Sequence, residues 1–442
     1  MIGGEFYFDL APGLCLFLGV LLVLYAMIGK PLYAVIAGAA LLLHVYAQID
    51  LTAIFIEVAT LVDQPYYIAI PMFVLAGTLL AESNAPVRLV RVASALFGWM
   101  PGGLAVVATL TCAFFTAFTG ASGVTIVALG GLLYPVLRKE RYPEGFSIGL
   151  LTTGGSLGLL FPPSLPIIVY ALIGGVDLDK LFVAGIVPGL LLVAVIGGYG
   201  VAVGAWRGVP RQAFHLGTAL RAVRGAIWEL PIPLLIVVAI YGGFVTATEA
   251  SAIVALYCLL VEVVILRDLK LRDLPVVMRK TAELVGAILV ILIMALGLKN
   301  YIIDAEIPQA MLALMQEHID SRLTFLLVLN GFLILVGFLL DIFSAILVVV
   351  PLVAPLAIEY GVDPVHLGII FLTNLEIGYM TPPVGINLFL GSLRFERPMV
   401  EVARHALPFL GLLVGCLLLI TYVPDLSLWL VGLLETAKAA GP

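Results

Sequence analysis

Four stretches of the 442-residue sequence put hydroxyls, glycines, prolines or carboxylates inside otherwise apolar runs. The first is Phe115-Thr116-Ala117-Phe118-Thr119-Gly120-Ala121-Ser122-Gly123-Val124-Thr125. Glycine lets a backbone leave the helix and expose its carbonyls. Freed carbonyls and hydroxyl oxygens are the hard ligands that a dehydrated Na⁺ needs. The same residue types also serve close helix packing. The second stretch runs from Thr152 through Gly154, Gly155, Ser156 and Gly158 to Pro162-Pro163-Ser164. Two consecutive prolines remove two donors and clash with the preceding turn, so a helix must break there. In lipid the freed groups need partners, which a cation and a polar solute can supply; a simple kink is the blander reading.

The third and fourth stretches are Gly337-Phe338-Leu339-Leu340-Asp341-Ile342-Phe343-Ser344 and Thr373-Asn374-Leu375-Glu376-Ile377-Gly378 leading to Thr381-Pro382-Pro383-Val384-Gly385-Ile386-Asn387. An ionised carboxylate at the centre of a bilayer costs about 2.5 kcal/mol or more, so Asp341 and Glu376 stand out. Asp341 could instead cap a helix, and Glu376 could be a neutral, hydrogen-bonded core carboxyl. The chemistry predicts two cation sites, each joining a hairpin tip to a broken helix. Thr119, Ser122, Gly154, Ser156 and Gly158 would form one, and Asp341, Ser344, Thr373, Gly378 and Thr381 the other. A solute between them would meet Ser122, Thr125, Ser164, Asn374, Glu376 and Asn387. No catalytic residue is assigned.

The elements that hold these residues must lie in a membrane. Of all residues 62% are hydrophobic and 11% charged, and the mean hydropathy is +1.19. So few charges cannot cover so much apolar surface in water, and lipid must be the solvent. The net charge of −6 is spread out, with no basic stripe for nucleic acid. Cys15, Cys112, Cys258 and Cys416 lie in apolar runs and form no C-x-x-C pair, so they read as small buried hydrophobes. Glu5 and Asp9 precede the first apolar run without any Lys or Arg, which argues against a cleaved signal peptide and for a retained helix over Leu10–Ile28.

Further apolar segments are Pro31–Ala47, Tyr67–Leu80, Gly103–Phe118, Gly123–Leu137, Phe146–Leu160, Leu181–Ala205, Ile227–Val245, Ser251–Leu266, Leu284–Leu298, Leu323–Leu340, Ile342–Ile358, Leu367–Met380 and Ala403–Tyr422. Several are too short for a bilayer, which predicts re-entrant hairpins and broken helices. Asn84–Trp99 and Arg207–Trp228 mix arginines with apolar residues and predict interfacial arms. The basic loops Arg138–Arg141, Arg207–Arg224 and Arg267–Lys280 mark the cytoplasmic face, and the acidic Asp177–Asp179 and Asp304–Asp320 the opposite one. In the knot Gly242–Ser251, Thr246 or Thr248 could cap the helix that begins near Glu249.

The chain also repeats. Pro162-Pro163 and Pro382-Pro383 are 220 residues apart (382 − 162 = 220), and Phe118/Phe338, Pro135/Pro355, Thr153/Thr373, Gly158/Gly378 and Pro188/Pro408 keep the same offset. Loop charge reverses between equivalents: Arg138–Arg141 corresponds to residues 358–361, with only Glu359, and Asp177–Asp179 to residues 397–399, beside Arg394. That favours an inverted repeat, a common plan of secondary transporters. The expected organisation is scaffold helices over residues 1–65, a first repeat over 66–205, an arm and central scaffold helices over 206–280, a second repeat over 281–425 and a tail over 426–442. His44, His215, His318, His366 and His405 are scattered, and neither H-E-x-x-H nor a Walker A sequence occurs, so no enzyme is indicated.

At these residues the chain resembles the large membrane subunit of TRAP (tripartite ATP-independent periplasmic) transporters, over nearly its whole length. Ala69-Ile70-Pro71-Met72-Phe73-Val74-Leu75-Ala76-Gly77 is similar to the family's A-I-P-x-F-x-L-x-G stretch, and Gly242–Ala250 to its G-G-x-x-T-x-T-E-A signature. Gly361-Val362-Asp363-Pro364-Val365-His366-Leu367-Gly368, leading into Asn374 and then Thr381–Phe389, is the most specific match. The resemblance implies an all-α polytopic protein with two re-entrant hairpins and two broken helices in an elevator-type transport domain, carried by a scaffold domain. It implies Na⁺-coupled uptake of a small organic anion, often a carboxylate, across the bacterial inner membrane. It also implies two partners, a periplasmic substrate-binding protein and a separate small membrane subunit. The chain departs from the pattern at Glu376, where many members have a small or apolar residue, and at Ala247, where Pro is common. A stand-alone anion symporter or antiporter without a binding protein is the alternative reading, and a membrane scaffold or intramembrane enzyme a third.

Overall fold

The structure, a computed structural model, describes residues 12–27, 32–52, 54, 56, 59, 65–209, 213–242, 244–319 and 321–439. Glu5, Asp9, Leu10, Ile28, Pro31, Arg211, Gly243 and Asp320 lie outside the described residues. All regular structure among the described residues is helical. Six helices there are long and apolar enough to cross a membrane: Leu178–Trp206, Ala247–Ile265, Leu274–Asp304, Arg322–Leu339, Ile342–Glu359 and Met399–Tyr422. The bent pair Tyr67–Glu82 and Ala85–Phe97, which turns by 71°, would make a seventh. The chain is therefore a multi-pass membrane protein.

Two sets of helices follow the same order. The first has Gly103–Thr119 and Ser122–Lys139 as a hairpin, then Glu144–Gly154 and Leu165–Gly174 on either side of the first Pro-Pro break. The second has Arg322–Leu339 and Ile342–Glu359 as a hairpin, then Pro364–Gly378 and Ile386–Phe395 around the second break. Shifted by 220, Ser122–Lys139 coincides with Ile342–Glu359, and the other bounds agree within one residue except where Pro364–Gly378 runs four further. Each set is preceded by a longer helix and a shorter one: Pro65–Glu82 with Ala85–Phe97, and Leu274–Asp304 with Ile307–Gln316. Both Pro-Pro peptide bonds are cis.

Local sequence sets the ends of these helices. Gly120, at φ +62°, turns the first hairpin, a left-handed conformation that glycine adopts at no steric cost. Asp341 caps the second hairpin's returning helix by accepting from Phe343 N and Ser344 N, each at 3.1 Å. Asp363 caps Pro364–Gly378 in the same way, from Val365 N at 2.8 Å and His366 N at 3.1 Å. Thr246, rather than Thr248, caps Ala247–Leu260 in a reciprocal capping box with Glu249.

The two sets interlock. Ser122–Lys139 packs on Ile386–Phe395, and its counterpart Ile342–Glu359 packs on Leu165–Gly174. Outside them, Pro65–Glu82 packs against Ala247–Leu260 and Leu274–Asp304, and Leu274–Asp304 also against Leu32–Tyr46. Several segments differ from the sequence reading. Leu284–Leu298 is the middle of a 31-residue helix, and Ile227–Val245 contains only Ile232–Tyr241 as helix. Within Asp304–Asp320, read as a loop, Ile307–Gln316 is helical because Pro308 starts it and Met311, Leu312 and Met315 pack on the core.

Candidate functional site

Each break crosses its own hairpin through a glycine that leaves no room for a side chain. A Cβ on Gly158 would lie 2.1 Å from Ala113 O and 2.5 Å from Ala117 N. A Cβ on Gly378 would lie 2.5 Å from Gly337 Cα and 2.6 Å from Gly337 C. Gly158 and Gly378 are equivalent at the 220-residue offset, and so are Ala117 and Gly337. The same backbone-to-backbone crossing therefore occurs twice. Gly154, a turn earlier, sits against Cys112.

Hydroxyls surround the first crossing. Thr116 Oγ1 donates to Gly155 O at 2.9 Å and lies 2.7 Å from Thr125 Oγ1. A hydroxyl has one proton, so Thr125 is the donor of the second bond and keeps only lone pairs free. Thr119 Oγ1 reaches Ala121 O at 3.5 Å, Ser156 Oγ donates to Thr153 O at 3.2 Å, and Ser164 Oγ is buried without a partner among the described residues. Ser122 Oγ donates to Asn387 Oδ1 at 2.7 Å and so ties the first hairpin's tip to the helix after the second break. Asn387 is fully buried and its Nδ2 has no partner among the described residues.

Around the second crossing, Asp341 is held by Phe343 N, Ser344 N and the Ser344 hydroxyl, and Ile342 N donates to Tyr379 OH. Thr373 Oγ1 donates to Ile369 O at 2.7 Å and Thr381 Oγ1 to Ile377 O at 3.0 Å, both along their own chain. Asn374 Nδ2 donates to Asn330 Oδ1 at 2.7 Å and to Ile370 O at 2.8 Å, which leaves Oδ1 as the unpartnered atom. The amide of Asn374 thus presents an acceptor, whereas that of Asn387 presents a donor. Glu376 is buried, with neither oxygen partnered among the described residues. A cavity of about 370 Å³ lies between the second hairpin tip and the second break, lined by Gly337, Leu340, Asp341, Pro383, Val384 and Phe389 among others. Among the described residues no Arg, Lys or His lines it.

Of the predicted residues, Gly158 and Gly378 make the two crossings, Thr125 joins the first through Thr116, and Ser122 and Asn387 form one bridge, whereas Thr119, Ser156, Thr373 and Thr381 bond within their own segments. Asn374 is turned away from that bridge toward Asn330, which the sequence reading did not single out. Thr116, which bonds both Gly155 O and Thr125 Oγ1 at the first crossing, lies outside the predicted site residues. A buried ion cluster outside the two helix sets was missed as well. Arg88 on Ala85–Phe97 pairs with Glu229, Asp268 and, at 3.1 Å, Glu262; Glu229 and Glu262 are fully buried. Burial pushes the Glu229 carboxyl up. At a surface, Arg397 and Arg138 meet Glu144, and the Arg397 hydrogen bond holds the Glu144 carboxyl below the usual range.

Residues 15–426 match the family model described as "Tripartite ATP-independent periplasmic transporter, DctM component". The chain belongs to this family. It is 37% identical over 364 residues to the C4-dicarboxylate TRAP transporter large permease protein DctM of Pseudomonas aeruginosa, covering 82% of this chain and 85% of that one. It is 34% identical to the ectoine TRAP transporter large permease protein TeaC of Halomonas elongata, with the same coverage of 82% and 85%. The isethionate TRAP transporter permease protein DctMQ of Oleidesulfovibrio alaskensis is 32% identical over 91% of this chain and 62% of its own length. The fold resembles the crystal structure of the Alcanivorax borkumensis YdaH transporter, with a TM-score of 0.58 at 15% identity over 91% of this chain and 97% of that one. The chain is thus a TRAP transporter component by family.

Proposed function

We propose that this chain is the membrane-spanning large subunit of a Na⁺-coupled uptake system for a small organic anion, in the bacterial inner membrane. A periplasmic binding protein delivers the solute, and a small membrane subunit supports the scaffold. The observation that carries this reading is the double crossing of hairpin and break at Gly158 and Gly378, with oxygen atoms gathered at each. A Na⁺ ion at the first draws on Thr119, Ser122, Gly154, Ser156 and Gly158. An ion at the second draws on Asp341, Ser344, Thr373, Gly378 and Thr381. The solute lies between, where Ser122 and Asn387 meet. The free N–H groups of Asn387 suit a carboxylate or another oxyacid oxygen, and Ser164 adds a second buried donor.

Relatives named for C4-dicarboxylate, ectoine and isethionate transport take small solutes that all carry an anionic oxyacid group. Among the described residues no cationic side chain lines the cavity beside the second break, so neutral donors and half-helix N-termini would hold that group. The charged contacts support an inverted repeat. The Arg138–Glu144–Arg397 network joins the loop after the first hairpin to the loop after the second broken helix. Leu178–Ala184, which follows the first broken helix, packs on Pro364–Gly378, which follows the second hairpin. Each repeat therefore meets the other head to tail. The short helices Ala85–Phe97 and Ile307–Gln316 link the outer helices to the hairpins in chain order, as the arms of an elevator would.

The test is uptake into proteoliposomes holding this chain, its small subunit and its binding protein, with radiolabelled succinate, ectoine and isethionate as probes. An inward Na⁺ gradient should drive accumulation of one of them. Equal accumulation with the gradient collapsed would sink the coupling.

A further inference from the structure

A cavity of about 400 Å³ lies against the first hairpin. Ala113 and Ala117 of that hairpin, Pro162 of the first break, Leu190 of Leu178–Trp206 and Leu234 of Ile232–Tyr241 wall it. Among the described residues every side chain that lines it is apolar. Leu190 is 54% exposed and Leu234 66%, so it opens at the surface, beside a helix that crosses the membrane. A smaller cavity of about 150 Å³ adjoins it, because Leu110 and Phe114 line both. The smaller one extends to Leu89, Leu96 and Leu230, and Thr111 lines it as well. Thr111 is buried, and its Oγ1 has no hydrogen-bond partner among the described residues. Leu89 and Leu96 belong to Ala85–Phe97, which packs on Leu216–Gly225. That second helix exposes Leu216 and Leu220 together with Arg221 and Arg224, the pattern of a helix lying in the membrane interface. Arg91 is exposed on Ala85–Phe97, whereas Arg88 on the same helix is taken up by Glu229, Glu262 and Asp268.

Physical chemistry narrows what fills these spaces. Water needs several polar partners, and the lining of the larger cavity offers none. Left empty, it would forfeit dispersion contacts on every atom of its wall. A partner helix is about 10 Å across with its side chains, so it would lie over the mouth rather than enter. A single hydrocarbon chain does enter, and the bilayer supplies it. The hydroxyl of Thr111 is a donor suited to the ester carbonyl where such a chain joins glycerol. Exposed arginines at the interface suit a phosphate and the negative charge of an anionic headgroup.

We propose that the two cavities bind one anionic phospholipid. An acyl chain fills the larger cavity against Ala113 and Ala117, Thr111 donates to its ester carbonyl, and the headgroup lies among Arg91, Arg221 and Arg224. The chain thereby backs the segment whose Ala113 O and Ala117 N stand against Gly158 at the first crossing. The site needs only the placement of these helices in a membrane and is independent of what the protein carries or which ion drives it.

The test uses the complex of this chain with its small subunit in phosphatidylcholine vesicles. A small share of the lipid carries a photoreactive diazirine on one acyl chain, under either a phosphatidylglycerol or a phosphatidylcholine headgroup, and mass spectrometry maps the adducts after irradiation. In the wild type, adducts on Phe114 and Leu190 should exceed those on Leu335 and Leu419, which are exposed on other helices, by about fivefold or more. Phosphatidylglycerol should label Phe114 about fivefold more than phosphatidylcholine does, and Arg221→Gln with Arg224→Gln in one chain should erase that preference. Leu190→Trp and Leu234→Trp place an indole in the mouth from two different walls, and each should cut Phe114 labelling about tenfold; thermal melting checks that both fold. Labelling of Phe114 no stronger than that of Leu335 and Leu419 overturns the proposal. So does labelling that neither folded tryptophan variant reduces, or equal labelling of the wild type by the two lipids. Adducts on the small subunit in place of Phe114 overturn it too, and assign the cavity to that partner.

Discussion

A single methyl group on Gly378 should disable the second crossing. In the structure that Cβ would sit 2.5 Å from Gly337 Cα and 2.6 Å from Gly337 C, whereas ordinary contact begins at 3.4 Å. The obstructing atoms are backbone, so no rotamer change relieves the clash. The hairpin tip must retreat by about 1 Å, and Asp341 and Ser344 are four and seven residues from the point of contact. Overpacking of this kind costs about 1–3 kcal/mol. That is roughly a 5- to 140-fold change if it falls on ion binding. A displacement of about 1 Å at a reacting or binding centre can by itself cost ~10²-fold. Gly378→Ala should therefore raise the Na⁺ concentration for half-maximal uptake by about tenfold or more. Gly411→Ala is the control, since nothing lies within 4 Å of a Cβ there. Uptake against external Na⁺ in proteoliposomes reads both. A G378A protein with the Na⁺ dependence of the wild type would show that the crossing does not hold an ion.

Three further outcomes follow from the same contacts. Ser122→Ala removes the donor to Asn387 Oδ1 and leaves a buried acceptor bare, at a cost of about 1–3 kcal/mol; half-saturation for solute should rise at least fivefold, measured as uptake against solute concentration. Arg88→Met strips the counter-charge from the fully buried Glu229 and Glu262, which costs about 3–5 kcal/mol for a broken buried pair; the melting temperature should fall sharply, and restoring it by Glu229→Gln in the same chain would locate the cause. The Glu144–Arg397 pair lowers the folded pKa of Glu144, so its contribution is complete above the ordinary glutamate pKa of about 4.3 and is lost as pH falls through the lower folded value. Arg397→Gln should accordingly have the same effect on melting at pH 6 and pH 8, and a difference between them would contradict this assignment.

Much of this architecture was legible because it is written in local sequence. Pro-Pro pairs break helices wherever they occur, Gly120 and Asp341 mark hairpin turns, and Thr246 with Glu249 is a capping box in any context. The 220-residue offset needed no structure to be seen, and the helix bounds keep it nearly to the residue. What escaped was long-range. Arg88 lies 141 residues from Glu229 and 180 from Asp268, so no window along the chain joins them. Asn330 is a lone polar residue in an apolar helix until Asn374 and Thr421 are brought to it. The orientation of Asn374 depends on that distant partner, and composition alone could not say whether its amide offers a donor or an acceptor. Ile307–Gln316 was hidden by the acidic residues around it, although Pro308 and the spacing of Met311, Leu312 and Met315 carried a helical signal.

The two hairpin crossings are proposed as two cation sites. Equilibrium binding of radioactive Na⁺ to the purified complex, with the wild type compared against Gly158→Ala and Gly378→Ala, counts them. The wild type should bind at least two ions, and each variant one fewer. Wild-type stoichiometry in both folded variants, or no saturable Na⁺ binding at all, would contradict it.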